Sequence, residues 1–434
     1  MARRHWLDIL LAPLTLLARA RGRWRLLLLA GYALILAVVG VLAGREAVLW
    51  KIPDAPEPFD LARYGHVDLP DAANAMVLYR RADRLRVPMP ELFRGLPPGA
   101  GDAWSWGQLD PRVAPWVEAN RPALDLWREG TARPDSLFAQ PADFSSRLDP
   151  DFGVFDGLAR LAQLATLEAT RRQAAGDLVG AWADHRAVIR SALHAGRHGG
   201  LAATWAGDRI LQKARPGLAA WADAQGMTPA LLRGALADLR ACRALGTTNA
   251  DILRVEYFRL RADLADRDAW ERRQLRRGDR DVPWGYHFPA VLAARYFWDN
   301  EPKRSRKILR LIALGQLAQC DRPIAARPPV VSTGYLIYAR DAITPAPLDR
   351  IAPERLAAWA DASGCRDFLV EPGFILGATA AARGQLDALR LRLAEQAYAL
   401  EHDGRPAATC GDLLGPYLDA LPEGVAPGDP AMAP

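Results

Sequence analysis

One stretch constrains this chain before any other. Leu26 to Gly44 reads LLLLAGYALILAVVGVLAG, 19 residues without a charge. As a helix it is roughly 28 Å long, close to the hydrocarbon thickness of a bilayer. Arg3, Arg4, Arg19, Arg21, Arg23 and Arg25 precede it, opposed only by Asp8, and Trp24 and Trp50 flank it where amphipathic rings favour the interface. The positive-inside bias predicts a cytoplasmic basic tail over 1–25, a transmembrane helix over 26–44 and an exported body beyond Arg45. His5 to Ala20, apolar but broken by Pro13, reads as a segment lying on the surface of the membrane.

Two other readings exist. Val41 and Ala43 are small enough for a signal-peptidase site, although the charged region and the apolar run are both long for a signal peptide. A helix buried in the core of the body is the third, and it leaves the six arginines unexplained.

Locating the charge also excludes a class of partner. The net charge is +6 and the pI about 9.3, values that suggest nucleic acid. Five of those six charges sit in the first 25 residues, so the remaining 409 carry about +1. A near-neutral body has no global field for a polyanion. Four cysteines in 434 residues rule out a small disulfide scaffold.

After the span, Pro53, Pro56, Pro58 and Pro70 mark 45–70 as a Pro-rich tether. Residues 71–150 read as a loop-rich helical subdomain. Asp71 to Arg86 is helical, with Ala75, Met76, Leu78, Tyr79 and Ala82 inward. Two short helices then start at Asp110-Pro111 and at Asn120, the second stopped by Gly130.

Residues 151–320 read as a helical-hairpin domain. Helices run from Phe155 to Ala175, Leu178 to Arg197 and Leu201 to Ala224, the last kinked or split at Pro216. Thr228-Pro229 starts a fourth, which Gly246 ends, and Asn249 caps a fifth, long and charged. Lys303 to Cys320 is helical, with Ile308, Leu311 and Ile312 inward. Residues 321–425 form a C-terminal helical subdomain. It holds a strand candidate at Val330 to Ala339, a short helix at Pro353 to Ala362, and an amphipathic helix over Gly384 to Glu401 with Leu386, Leu389, Leu393, Ala397 and Leu400 inward. Residues 426–434 read as a frayed tail. The expected fold is mainly α, an N-terminal transmembrane helix followed by packed helical hairpins, with minor β.

No constellation specifies chemistry, so no catalytic, cofactor-binding or metal-ligating residue is assigned. His194 and His198 have the i, i+4 spacing of a metal pair but no evident third ligand. Ser105 in AWSWG echoes a nucleophile elbow but lacks its strand and helix. Glu256, Asp263 and Asp266 alternate with Arg254, Arg259 and Arg261, which reads as a solvated helix face; paired acids for hydrolysis are the alternative. Arg272, Arg273, Arg276, Arg277 and Arg280, beside Glu271, Asp279 and Asp281, form the densest basic patch, which reads as solvated charge; a groove for anionic lipid or polysaccharide is the alternative. Cys242, Cys320, Cys365 and Cys410 are far apart, and Cys365 with Cys410 is the first disulfide to test if the body is exported; free buried thiols are the alternative. Trp182, Trp205 and Trp221 are candidates to line a partner groove, with core packing as the other use.

Two stretches resemble known patterns. Arg171 to Ile189, with Gly176-Asp177 at a turn and Ala181 as a small packing residue, resembles the turn and second helix of a tetratricopeptide repeat, which implies a helical hairpin. Leu391 to Gly424 is similar to a pattern shared by type II secretion pseudopilins and an uncharacterised family of bacterial membrane-anchored proteins. Its matching residues are Tyr398, Glu401, His402, Gly404, Arg405, Pro406, Leu413, Leu414, Tyr417, Leu418 and Pro422. The pseudopilin cleavage motif is missing and Asp403 is an extra residue. Asp71 to Tyr79 and Asn300 to Ile308 extend the likeness to the uncharacterised family, which implies architecture and topology only.

The reading is therefore a bitopic protein of a bacterial inner membrane, its N-terminus cytoplasmic and its helical body periplasmic. It serves as an interaction or scaffold protein with a protein partner. An envelope hydrolase or carbohydrate-binding protein is the alternative.

Overall fold

The computed structural model describes residues 21–49, 52–88, 113–144, 152–277, 302–318, 320, 372–422 and 425–431. The chain is mainly helical; the described residues contain isolated bridges but no strand. The strand expected near Tyr335, the helix at Pro353 to Ala362, Ser105, Cys365 and the His5 to Ala20 segment lie outside the described residues.

Helix α1 (Arg23–Leu49) contains the apolar run. Its best window, Arg23–Val41, has a mean hydropathy of 2.1, and none of it is buried against the rest of the chain. At 27 residues it is roughly 40 Å long, more than a bilayer core requires. It thus runs beyond the predicted end at Gly44, because no breaker follows until Pro53.

The next residues correct the tether. Ile52 and Ala55 are buried, and Phe59 meets Tyr64, Tyr257 and Phe258 edge-on. The Tyr257 hydroxyl donates to Glu57 Oε2 at 2.5 Å, and Arg310 Nη2 donates to Glu57 Oε1 at 2.6 Å. Prolines stiffened this segment for docking rather than for reach. Asp60 then caps the one-turn helix α2 (Leu61–Gly65).

Helix α3 (Ala75–Leu85) buries Ala75, Met76, Leu78, Tyr79 and Ala82, as its periodicity predicts. Its cap is Asn74, whose Oδ1 accepts from Met76 N and Leu137 N while Nδ2 donates to the Leu137 carbonyl. Helices α4 (Val113–Ala119) and α5 (Arg121–Ala132) follow. Gly130 does not stop α5. A Cβ there would stand 2.8 Å from the Tyr79 ring, so the glycine serves the α3–α5 approach. Asn120 caps nothing through its side chain; it pairs with the backbone of Val87 instead.

The centre is α6 (Phe152–Ala174), α7 (Leu178–Gly196) and α8 (Leu201–Ala222), joined by short turns and packed on one another. Gly176 sits at φ +82° and Asp177 caps α7 through Gly180 N, so the Gly-Asp pair forms the turn that its chemistry predicts. Pro216 is accommodated inside a continuous α8. Helix α9 (Pro229–Cys242) opens on the Thr228 cap and Pro229. Helix α10 (Asn249–Arg277) pairs with α11 (Pro302–Leu317), which buries Ile308, Leu311 and Ile312. Thr248, not Asn249, accepts from Asp251 N at the start of α10; Asn249 Nδ2 reaches the Cys320 carbonyl at 2.8 Å.

Helix α12 (Pro372–Glu401) lies on α8 and α9. Leu393 and Ala397 are buried, but Leu400, the last residue but one of the helix, is exposed. The described part of the tail, up to residue 431, is docked rather than frayed: Cys410 N bonds the Asp429 carbonyl and Gly411 N the Pro427 carbonyl. One apolar cluster joins Ala75 on α3, Trp221 on α8, Ala397 on α12 and Leu418, so the three expected subdomains of the body share a core.

Candidate functional site

Helix α7 carries an alternating pattern that its apolar period did not reveal. Asp184 lies one turn before Val188, and Arg186 and Arg190 are four residues apart, on one strip of its surface. The strip faces a cleft of about 440 Å³, bounded by α5 and α6 on one side and α9 on the other.

Each wall is built around one aspartate held by arginine. Asp184, almost wholly buried, accepts from Arg128 Nε of α5 at 2.8 Å and stands 3.2 Å from Arg172 Nε of α6. Burial pushes its carboxyl above the usual range and the two guanidinium groups only partly offset this. Across the cleft, Asp238 of α9 accepts from Trp182 Nε1 at 2.8 Å and Arg186 Nη1 at 3.0 Å. Arg190 is bound below, donating through Nε to the Thr131 carbonyl and through Nη2 to the Arg133 carbonyl at 2.9 Å. It thereby satisfies carbonyls at the C-terminus of α5, where the helix dipole favours a cation.

Four arginines against two aspartates leave the lining with an excess of two positive charges. Arg128 Nη2 is buried without a hydrogen-bond partner. Burial also pushes the Cys242 thiol, at the edge of the cleft, above its usual range, so it is a poor nucleophile. Each lining carboxylate is bound to arginine. This arrangement can hold an anion; it has no free acid–base pair.

Apart from Cys242, the residues singled out in the sequence are elsewhere. His194 is buried on α7, its Nδ1 2.7 Å from the Tyr79 hydroxyl. Burial pushes His194 down to about 4 and raises Tyr79 well above its ordinary range. His198 lies past the helix end at φ +53° and meets Asp135 at 3.1 Å. Burial opposes ionisation of Asp135, but contacts from His198, Arg197 Nε and Ser136 N outweigh it and hold the carboxyl far below its usual range. The i, i+4 pair therefore diverges, and among the described residues no group of three or more His, Cys, Asp or Glu is placed for a metal.

The supposed solvated face of α10 is also corrected. Glu256 and Asp263 are both buried and bracket Arg259, at 2.7 and 3.1 Å. Glu256 Oε1 further accepts from Leu201 N at 2.8 Å, capping α8 where Gly200 has no side chain to do so. Trp182 and Trp221 stack at 4.7 Å in the core, so they line no groove. Cys242 and Cys410 are buried free thiols, and Cys320 is buried. The cleft itself was missed because its charges come from four helices, and only the α7 spacing is visible locally.

No known protein family matches this chain, and no curated protein or solved structure is significantly similar to it.

Proposed function

We propose that this is a single-pass membrane protein of a bacterial inner membrane, its helical body on the periplasmic side, acting as a non-catalytic binding or scaffold component with a protein partner. The reading rests on one observation: α1 is apolar, long enough to span, and unburied along its window. A core helix would bury at least one face. The arginines before it favour a cytoplasmic N-terminus. The segment that follows α1 is docked on the body through Glu57, which would keep the body near the bilayer if α1 spans it. We place the chain with the uncharacterised membrane-anchored family that its C-terminal motif resembles.

The scaffold reading is favoured over hydrolysis by the state of the buried acids. Asp184, Glu256 and Asp263 each hold an arginine rather than face one another across open space. The test is alkaline carbonate extraction of membranes followed by intact mass measurement. The full-length chain is expected in the pellet. A soluble protein shortened near Ala43 would replace the anchor with a cleaved signal.

A further inference from the structure

We propose that the cleft over α7 is a binding site for a phosphate-bearing ligand. Its walls present Arg128 from α5, Arg172 from α6 and Arg186 from α7, three guanidinium groups converging on one space from three helices. A planar carboxylate is matched by a single fork; a tetrahedral oxyanion with three acceptor oxygens suits donors arriving from several directions. The excess of two positive charges in the lining matches a phosphomonoester dianion.

The competing carboxylates do not cancel this. Asp238 already accepts from Trp182 and Arg186. Glu168, which is not part of the lining, is bound in bidentate fashion by Arg171 at 2.7 Å for each contact and meets Arg172 Nε more loosely at 3.3 Å. Asp125 and Asp177 approach Arg128 and Arg172 from the flank and are more than half exposed, where solvent screens them. Asp184, the one carboxylate deep in the wall, is already bound by Arg128 and Arg172. The space, about 440 Å³, is large enough for a small organic phosphate or for the headgroup of a phospholipid. The proposal does not depend on which side of a membrane the body lies.

The test uses the full chain in phosphatidylcholine nanodiscs, titrated with glycerol phosphate by calorimetry. Saturable binding that weakens with added sodium chloride is expected. Arg186→Gln should weaken it about tenfold, since a charge-assisted contact is lost. That residue is half exposed, so the fold should tolerate the change, which circular dichroism verifies. Arg233→Gln removes the same charge from a half-exposed site paired with Glu401, away from the cleft, and should leave binding unchanged. Adding phosphatidic acid to the bilayer separates the sources: competition with glycerol phosphate identifies a lipid headgroup, and its absence a soluble phosphate, both with the proposed chemistry. No binding, an equal loss in both variants, or acetate binding as tightly would overturn it.

Discussion

At the scale of single residues, buried polar groups divide into those that are held and those that are not. Asp184 is held, by two arginines on two other helices. Asp184→Ala should leave those guanidinium groups facing each other across a partly buried wall and cost about 2–3 kcal/mol in urea unfolding. A loss below about 0.5 kcal/mol would show the pairs to be incidental. His185 is the opposite case. It is buried with neither ring nitrogen bonded, and burial alone pushes it down to about 4. His185→Leu should be neutral or stabilising at pH 7, because an unpartnered polar ring gives way to an apolar side chain of similar size.

The two histidines also set the acid limb of stability. His185 and His194 both have folded values near 4 against 6.5 in the unfolded chain. Between those values the unfolded state binds more protons, so the native state loses stability as pH falls from about 6.5 towards 4. The loss is on the order of 3 kcal/mol for each group if both stay buried. His185→Leu should remove about half of it in a pH series of denaturation midpoints. An unchanged slope would contradict the assignment. None of this was legible in the sequence. His185 falls among the apolar positions of α7, but spacing cannot say whether a buried imidazole finds a partner.

At the scale of elements, the sequence was most readable where turn chemistry is local. Gly176-Asp177, Thr228-Pro229 and the inward face of α3 came out as their patterns predict. It failed where a residue answers to a distant element. Asn120 and Asn249 resemble caps, yet each side chain pairs with backbone far along the chain. Gly130 resembles a stop, yet it makes room for Tyr79. Glycines therefore give a sharp test of the packing. A Cβ at Gly207 on α8 would sit 2.2 Å from the Ala192 carbonyl oxygen of α7, a contact with backbone that cannot move aside. Gly207→Ala should destabilise by about 2–3 kcal/mol through forced separation of the two helices. Gly234 on α9 has nothing within 4 Å of its Cβ position. Gly234→Ala should stabilise by about 0.5–1 kcal/mol through helix propensity. Similar effects at the two sites, read from thermal midpoints, would rule out the close α7–α8 crossing.

At the scale of the whole molecule, the sequence separated the apolar N-terminal helix from the body and misjudged what joins them. Prolines between 53 and 70 suggested a free tether, because composition reports stiffness but not contact. In the folded protein Ile52, Ala55, Glu57 and Phe59 attach that segment to α10 and α11. The Glu57 carboxyl, between Tyr257 and Arg310, is one polar contact of that attachment, beside the Lys307–Asp54 pair at 2.9 Å; burial opposes its ionisation, and its partners outweigh burial and lower its pKa. Glu57→Ala should leave the body folded while opening residues 52–60 to limited proteolysis. Equal resistance in the two proteins would show that the Glu57 contacts do not secure the segment.

The account as a whole depends on α1 carrying the body across a membrane. The most direct measurement is a pair of full-length fusions at the C-terminus in a bacterial host, one to alkaline phosphatase, which is active only after export, and one to a fluorescent protein that matures only in the cytoplasm. The account predicts phosphatase activity in the membrane fraction and no fluorescence. Fluorescence without phosphatase activity would place the helical body inside the cell and contradict it.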